Sequence, residues 1–154
     1  MKIKFWGATE EVTGSMTFIE SHGEIGMVDC GLSQGKSDSD EKNFASLPYS
    51  PKSIKEVVIT HAHLDHSGYL PRLVKKGFHG SIICTQTTAD LIKIILDDSA
   101  SINRGDDEAL YDVEDVKATL KLLRPEKWNH EFSFLGMKAK LIPAGHILGA
   151  SSLL

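Results

Sequence analysis

Thr60-His61-Ala62-His63-Leu64-Asp65-His66-Ser67-Gly68 follows directly on an apolar run, Val57-Val58-Ile59. The run reads as a buried strand, so three imidazoles and one carboxylate arrive together at its end. Ionisable groups crowded in such a place are costly unless a partner or a metal compensates them. Neutral imidazole and carboxylate suit zinc, and also iron or manganese. His61 and His63 are two apart and point the same way from an extended or turning backbone. Asp65 and His66 follow where the chain turns into a helix, and they aim at a neighbouring point. The spacing predicts two metal ions sharing one loop. A lone loop histidine is more often solvated or hydrogen-bonded, but a cluster of this density reverses that preference.

Working outward, Lys2-Ile3-Lys4-Phe5-Trp6 alternates as a half-buried strand does, and Gly7 to Gly14 reads as a loop. Met16 to Glu20 and Ile25 to Val28 are strands around the turn residues Ser21-His22-Gly23-Glu24, which predicts an antiparallel hairpin. Ser33 to Pro51 reads as a long surface loop bordering a substrate groove, with Phe44 and Tyr49 packing it down. Past the histidine loop a helix is predicted from about Ser67 to Lys76, whose first turn would favour an anion such as phosphate. Ser81 to Thr85 is another buried strand, and Thr87 with Asp90 predicts the cap of a helix running to about Ala100. The acidic stretch Asn103 to Asp115 reads as solvated, with Tyr111 as its anchor. A helix over Val113 to Leu123 and strands over Trp128 to Phe134 and Met137 to Ile142 complete a mixed α/β pattern. His22, His79 and His130 fit no ligand spacing and read as surface or packing residues.

The chain has 154 residues, 41% hydrophobic and 25% charged, enough for one globular domain with a core. No apolar run approaches the roughly 18 to 20 residues of a membrane helix. The N-terminus enters a strand pattern directly, without the apolar region of a signal peptide, so a cytoplasmic setting is the default expectation. Cys30 and Cys84 are too few and too distant for a disulfide scaffold and read as core residues. The formal charge of −4 argues against a generally basic nucleic-acid binder. That objection weakens if bound divalent ions supply the positive charge at a phosphate.

His61, His63, Asp65, His66 and Gly68 together resemble the signature of the metallo-β-lactamase-fold hydrolases. Three further stretches are similar to the β-CASP branch, which holds ribonuclease J-like enzymes and the pre-mRNA cleavage endonuclease. They are Gly7-Ala8-Thr9-Glu10-Glu11-Val12-Thr13-Gly14-Ser15, Val28-Asp29-Cys30-Gly31-Leu32 and Pro143-Ala144-Gly145-His146-Ile147-Leu148-Gly149-Ala150-Ser151. The resemblance implies the first half of an αββα sandwich, a mixed sheet with outer helices. It implies His61, His63 and His146 as one set of metal ligands and Asp65 with His66 as part of a second. Asp65 and Asp29 become the catalytic candidates, Asp29 by orienting the metal-binding loop. On its own, a histidine between Gly145 and Gly149 would more often be structural.

The resemblance also implies that residues 1–154 are the N-terminal part of a longer enzyme. The remainder of the domain, a bridging Asp and the β-CASP cap would lie beyond. Apolar surface left uncovered would favour dimerisation or aggregation of the piece alone. The expected activity of the intact protein is metal-dependent phosphodiester hydrolysis of RNA, or alternatively DNA. Two divalent ions are expected, zinc or alternatively manganese, and only the first site is near-complete in this chain. The rival readings are thioester, lactam or lactone hydrolysis on the same platform, and a non-catalytic metal-binding assembly module. For residues 1–154 alone, inactivity is the expectation.

Overall fold

A computed structural model describes residues 1–35, 38–102 and 108–154. Strands β1 (Lys2–Trp6), β2 (Met16–Ser21) and β3 (Glu24–Cys30) form an antiparallel meander. The β2–β3 turn has positive φ at both His22 and Gly23, the conformation whose twist suits a two-residue hairpin. β4 (Ile54–Val58), β5 (Ser81–Thr85) and β6 (Leu123–Glu126) then add in parallel, giving the order β1-β2-β3-β4-β5-β6. A second antiparallel sheet holds β7 (Glu131–Phe134), β8 (Met137–Pro143) and β9 (Ser151–Leu153).

Alternation along the central strands divides the interior in two. Val57, Ile82 and Cys84 face a helical layer with Phe18, Leu70, Leu73, Ile92, Leu96 and Val116. Val58 and Ile83 face the second sheet with Phe132, Phe134, Ala139 and Leu141. Strands covered on both faces need apolar residues at every position, which is why Val57-Val58-Ile59 and Ile82-Ile83-Cys84 are continuous runs. The helical layer is α1 (Ser39–Phe44), α2 (Leu64–Ser67), α3 (Leu70–Lys75), α4 (Gln86–Ile102) and α5 (Val113–Leu120). Helix, sheet and sheet are three layers of the expected αββα sandwich. No helix among the described residues is long and apolar enough to cross a membrane.

Several expectations are corrected. The segment after Ser33 is not loop throughout. It contains α1, held because the buried Asn43 side chain accepts from Ser33 N–H at 2.9 Å and donates to Ser33 C=O at 3.0 Å. The single helix over Ser67 to Lys76 is instead two short helices, α2 and α3, broken around Gly68 and Tyr69. Four residues make α2 too short to serve as an anion site, and its turn is closed by Ser67 N–H and Gly68 N–H donating to His63 and Leu64 carbonyls. Helix α4 is capped by Thr85 rather than Thr87, since the Thr85 hydroxyl accepts from Thr88 N–H at 3.2 Å. α5 ends at Leu120, and Leu123 to Glu126 is the edge strand β6, a position where Pro125 is tolerated. β1 is exposed along its whole length rather than half-buried. Of the acidic stretch Asn103 to Asp115, residues 103–107 lie outside the described residues; Tyr111 is buried beside Ser99, and Asp112 caps α5.

Backbone bonds tie the loop after β4 both to the end of the β1–β2 loop and to the loop after β3. Ser15 N–H donates to Asp65 C=O and Leu32 N–H to Leu64 C=O. A Cβ placed on Gly31 would lie 1.7 Å from the Asp65 carbonyl oxygen, so only glycine permits this approach. Gly31→Ala is expected to cost roughly 3 kcal/mol, read as a lower urea midpoint. An unchanged midpoint would show that the two loops do not meet as closely as described.

Candidate metal centre

β3, β4 and β5 run parallel, so the loops that follow them open at the same edge of the sheet. Asp29 sits at the end of β3 with φ +61, a left-handed conformation uncommon for any residue but glycine. The residue is only 5% exposed. Oδ1 accepts from Thr60 N–H at 2.8 Å. Oδ2 accepts from the Thr60 hydroxyl at 2.9 Å and from His66 Nδ1 at 2.7 Å.

These bonds fix the histidine tautomers. The single Thr60 hydroxyl proton goes to Asp29, so Thr60 Oγ1 accepts from His61 Nδ1 at 3.0 Å. The lone pair of His61 is therefore on Nε2, and that of His66 is on Nε2 as well. A ring nitrogen bonded to a protein acceptor while the other is left open is the usual arrangement around a metal.

His61, His63 and His146 converge. His61 Nε2 lies 3.1 Å from His63 Nδ1, and His146 Nε2 lies 3.3 Å from the same atom. Nitrogens bonded to one tetrahedral zinc at roughly 2.0–2.1 Å would be about 3.3 Å apart. The ligand atoms of this trio all lie within 4.8 Å of one another. The donor set, chemistry and spacing together fit a divalent cation. His61 is 8% exposed, whereas His63 and His146 open to solvent.

Asp65 and His66 stand beside the trio rather than in it. His66 Nε2 is 3.6 Å from Asp65 Oδ2, and the His66 ring centroid is 4.1 Å from that of His61. They offer one nitrogen and one carboxylate to an adjoining position. Among the described residues, His22 and His79 make local bonds only, to Ser21 Oγ and to Gly77 C=O. Thr60, which no ligand spacing marks, is the residue that sequence reasoning passed over. Its hydroxyl matters only because Asp29 lies beyond it.

Burial drives His61 down to about 4, and the neighbouring His66, His63 and His146 act in the same direction against Asp29. Burial also opposes charge on His66, but the hydrogen bond and charge of Asp29, with the charge of Asp65, outweigh it and hold its value above the ordinary 6.5. His61 is thus a neutral donor across the physiological range, while Asp29 and Asp65 favour the protonated form of His66, against which a metal would compete.

Residues 9–153 match the profile of the Metallo-beta-lactamase superfamily. The chain belongs to that superfamily. Over 98% of its length it is 35% identical to Ribonuclease TTHA0252 of Thermus thermophilus, covering 34% of that protein. It is 32% identical to Cleavage and polyadenylation specificity factor 73 of Drosophila melanogaster and 29% identical to Transcription termination factor FttA of Methanocaldococcus jannaschii, covering 22% and 24% of them. These relatives agree with the β-CASP resemblance of the sequence. A flavo di-iron protein of Thermotoga maritima superposes with a TM-score of 0.59 at 19% identity, over 90% of this chain and 30% of that one. MEM-A1, a subclass B3 metallo-beta-lactamase from a soil metagenome library, superposes with a TM-score of 0.60 at 14% identity, over 92% and 50%. Both are likenesses of fold. The chain spans about a third or less of the length of these curated relatives.

In the metal-free protein, NMR titration is expected to find His61 neutral until about pH 4 and His66 protonated above its ordinary midpoint. Between 6.5 and about 4 the unfolded chain takes a proton at His61 that the folded chain refuses, so that contribution to stability is lost as pH falls. The His66 contribution has the opposite sign and is lost as pH rises through its raised value. A His61 midpoint at or above 6.5 would contradict the buried hydrogen-bonded geometry.

Proposed function

We propose that residues 1–154 are the N-terminal part of a longer β-CASP-type enzyme that hydrolyses phosphodiester bonds in RNA. The observation that carries this reading is the convergence of His61 Nε2, His63 Nδ1 and His146 Nε2 in a chain 35% identical to a ribonuclease. The remainder of the domain and a cap would lie in the part of the protein that these relatives have beyond the matched region.

His61, His63 and His146 would hold the first ion, zinc or alternatively manganese. Asp65 and His66 would supply part of a second position. When bound, the metals supply Lewis acidity at the phosphoryl group and acidify water. The chain's own residues do the rest. Asp65 orients the attacking water while serving the second position. Asp29, buried and fully engaged by Thr60 and His66, never meets substrate; it acts by keeping the histidine loop in register. That makes it a positioning residue. The proton donor to the leaving oxygen would come from the remainder of the protein.

The sequence relatives favour this reading over lactam, lactone or thioester hydrolysis, for which the likeness is of fold alone. RNA cleavage by the intact protein with zinc or manganese present is expected, and His61→Ala should reduce it by at least about a hundredfold. Intact RNA alongside turnover of a lactam, lactone or thioester would overturn the assignment. In calorimetry of residues 1–154, one zinc is expected to bind more tightly than any second. Two equally tight ions would contradict the division of ligands.

A further inference from the structure

We infer that Thr85 and Thr88 are positioning residues for His146, holding its loop through the carbonyl of Gly149. The inference rests on the reading of His146 as a metal ligand. His146 has no anchor of its own: its ring is exposed, and its sole hydrogen-bond contact among the described residues is the 3.3 Å approach to His63. Ala144 and Gly145 on one side and Leu148 on the other are also exposed. The loop becomes buried only at Gly149 and Ala150.

At Gly149 the attachment is dense. Thr85 Oγ1 donates to the Gly149 carbonyl at 2.8 Å, and Thr88 Oγ1 donates to it at 3.0 Å. The two hydroxyls also lie 3.0 Å apart, so the three oxygens form one closed buried network in which the Thr85 proton is shared between the Gly149 carbonyl and Thr88 Oγ1. Thr85 Oγ1 at the same time accepts from Thr88 N–H at 3.2 Å, the N-cap bond of α4. The cap of a seventeen-residue helix is thereby also the clamp on the loop. Both threonines are buried, Thr88 completely.

Gly149 completes the device. Its φ is +82, and a Cβ there would lie 2.7 Å from Thr88 N and 2.8 Å from Thr88 Oγ1. Ala150 N–H donates to Ile147 C=O at 3.0 Å, so Gly149 takes the third place of a tight turn, where positive φ is required. His146 immediately precedes that turn. Ala144 N–H donates to Ala150 C=O at 3.1 Å, closing the base of the loop. The direction in which the His146 ring leaves the backbone is thus set from the junction of β5 and α4, which supplies no ligand.

The test is a double-mutant cycle on residues 1–154, read by zinc competition with a chromophoric chelator and by the visible spectrum of the cobalt-loaded protein. Thr88→Val should weaken zinc binding roughly 10- to 100-fold, as loss of a residue that orients a ligand does. It should also alter the cobalt bands. Thr88→Ser, which restores the hydroxyl, should return both to wild type. In a His146→Ala background, Thr88→Val should produce no further loss, because the group it positions is gone. An equal loss in both backgrounds, or wild-type affinity in a folded Thr88→Val, would overturn the inference alone. Wild-type affinity in His146→Ala would overturn the ligand reading and the inference with it. If Thr88→Val fails to fold by circular dichroism, Thr85→Val, which removes the other hydroxyl, is held to the same outcomes.

Discussion

The Asp29 carboxylate is the joint on which the site depends. It is buried at the end of β3 in a left-handed backbone conformation, and it accepts three hydrogen bonds from the loop after β4. Two come from Thr60 and one from His66, so a single side chain sets the start and the far end of the histidine loop. Through the Thr60 hydroxyl it also determines which nitrogen of His61 carries the proton. A buried donor left without its acceptor costs about 1–3 kcal/mol. Three such donors share this one acceptor group, and the unfavourable φ at Asp29 persists because they over-determine it.

The topology makes this joint possible. Parallel strands send consecutive loops to one edge of the sheet, as in other open α/β sheets where sites form at strand ends. Asp29 at the end of β3, His61 to His66 after β4 and Thr85 at the end of β5 are neighbours for that reason. The second sheet contributes from the opposite side. Ser151 N–H, at the start of β9, donates to Thr60 C=O at 2.8 Å and so ties the His146 loop back to the same threonine. Thr60 therefore bonds to Asp29, to the His61 ring and to Ser151 behind the His146 loop. The backbone approach of Gly31 to Asp65 adds a further constraint, because it leaves no room for the loop after β3 to drift.

How much of this was legible in the sequence follows from the range over which each signal acts. The clustering of His61, His63, Asp65 and His66 is local, and strand alternation with apolar runs is local too, so the loop and its strand could be read directly. The convergence of His146 on that loop could not, since it needs β8, β9 and the sheet packing to exist first; only resemblance to a family pointed there. Thr60, Thr85 and Thr88 were invisible for a related reason. A hydroxyl has no distinctive spacing, and its role is set by Asp29 or Gly149, residues distant in the chain. Helix α1 escaped because Ser39-Asp40-Glu41-Lys42-Asn43-Phe44 has no apolar stripe and is held by Asn43 on Ser33. β6 escaped because Pro125 reads as a stop, whereas at a sheet edge it is merely a residue without a donor.

Anomalous diffraction at the zinc edge, from crystals of this chain grown with zinc, tests the central claim most directly. The expected result is one dominant peak within about 2.0–2.1 Å of His61 Nε2, His63 Nδ1 and His146 Nε2, with Asp29 still bonded to Thr60 and His66. A dominant peak elsewhere, or His146 turned away from an ion held by the other two histidines, would contradict the account.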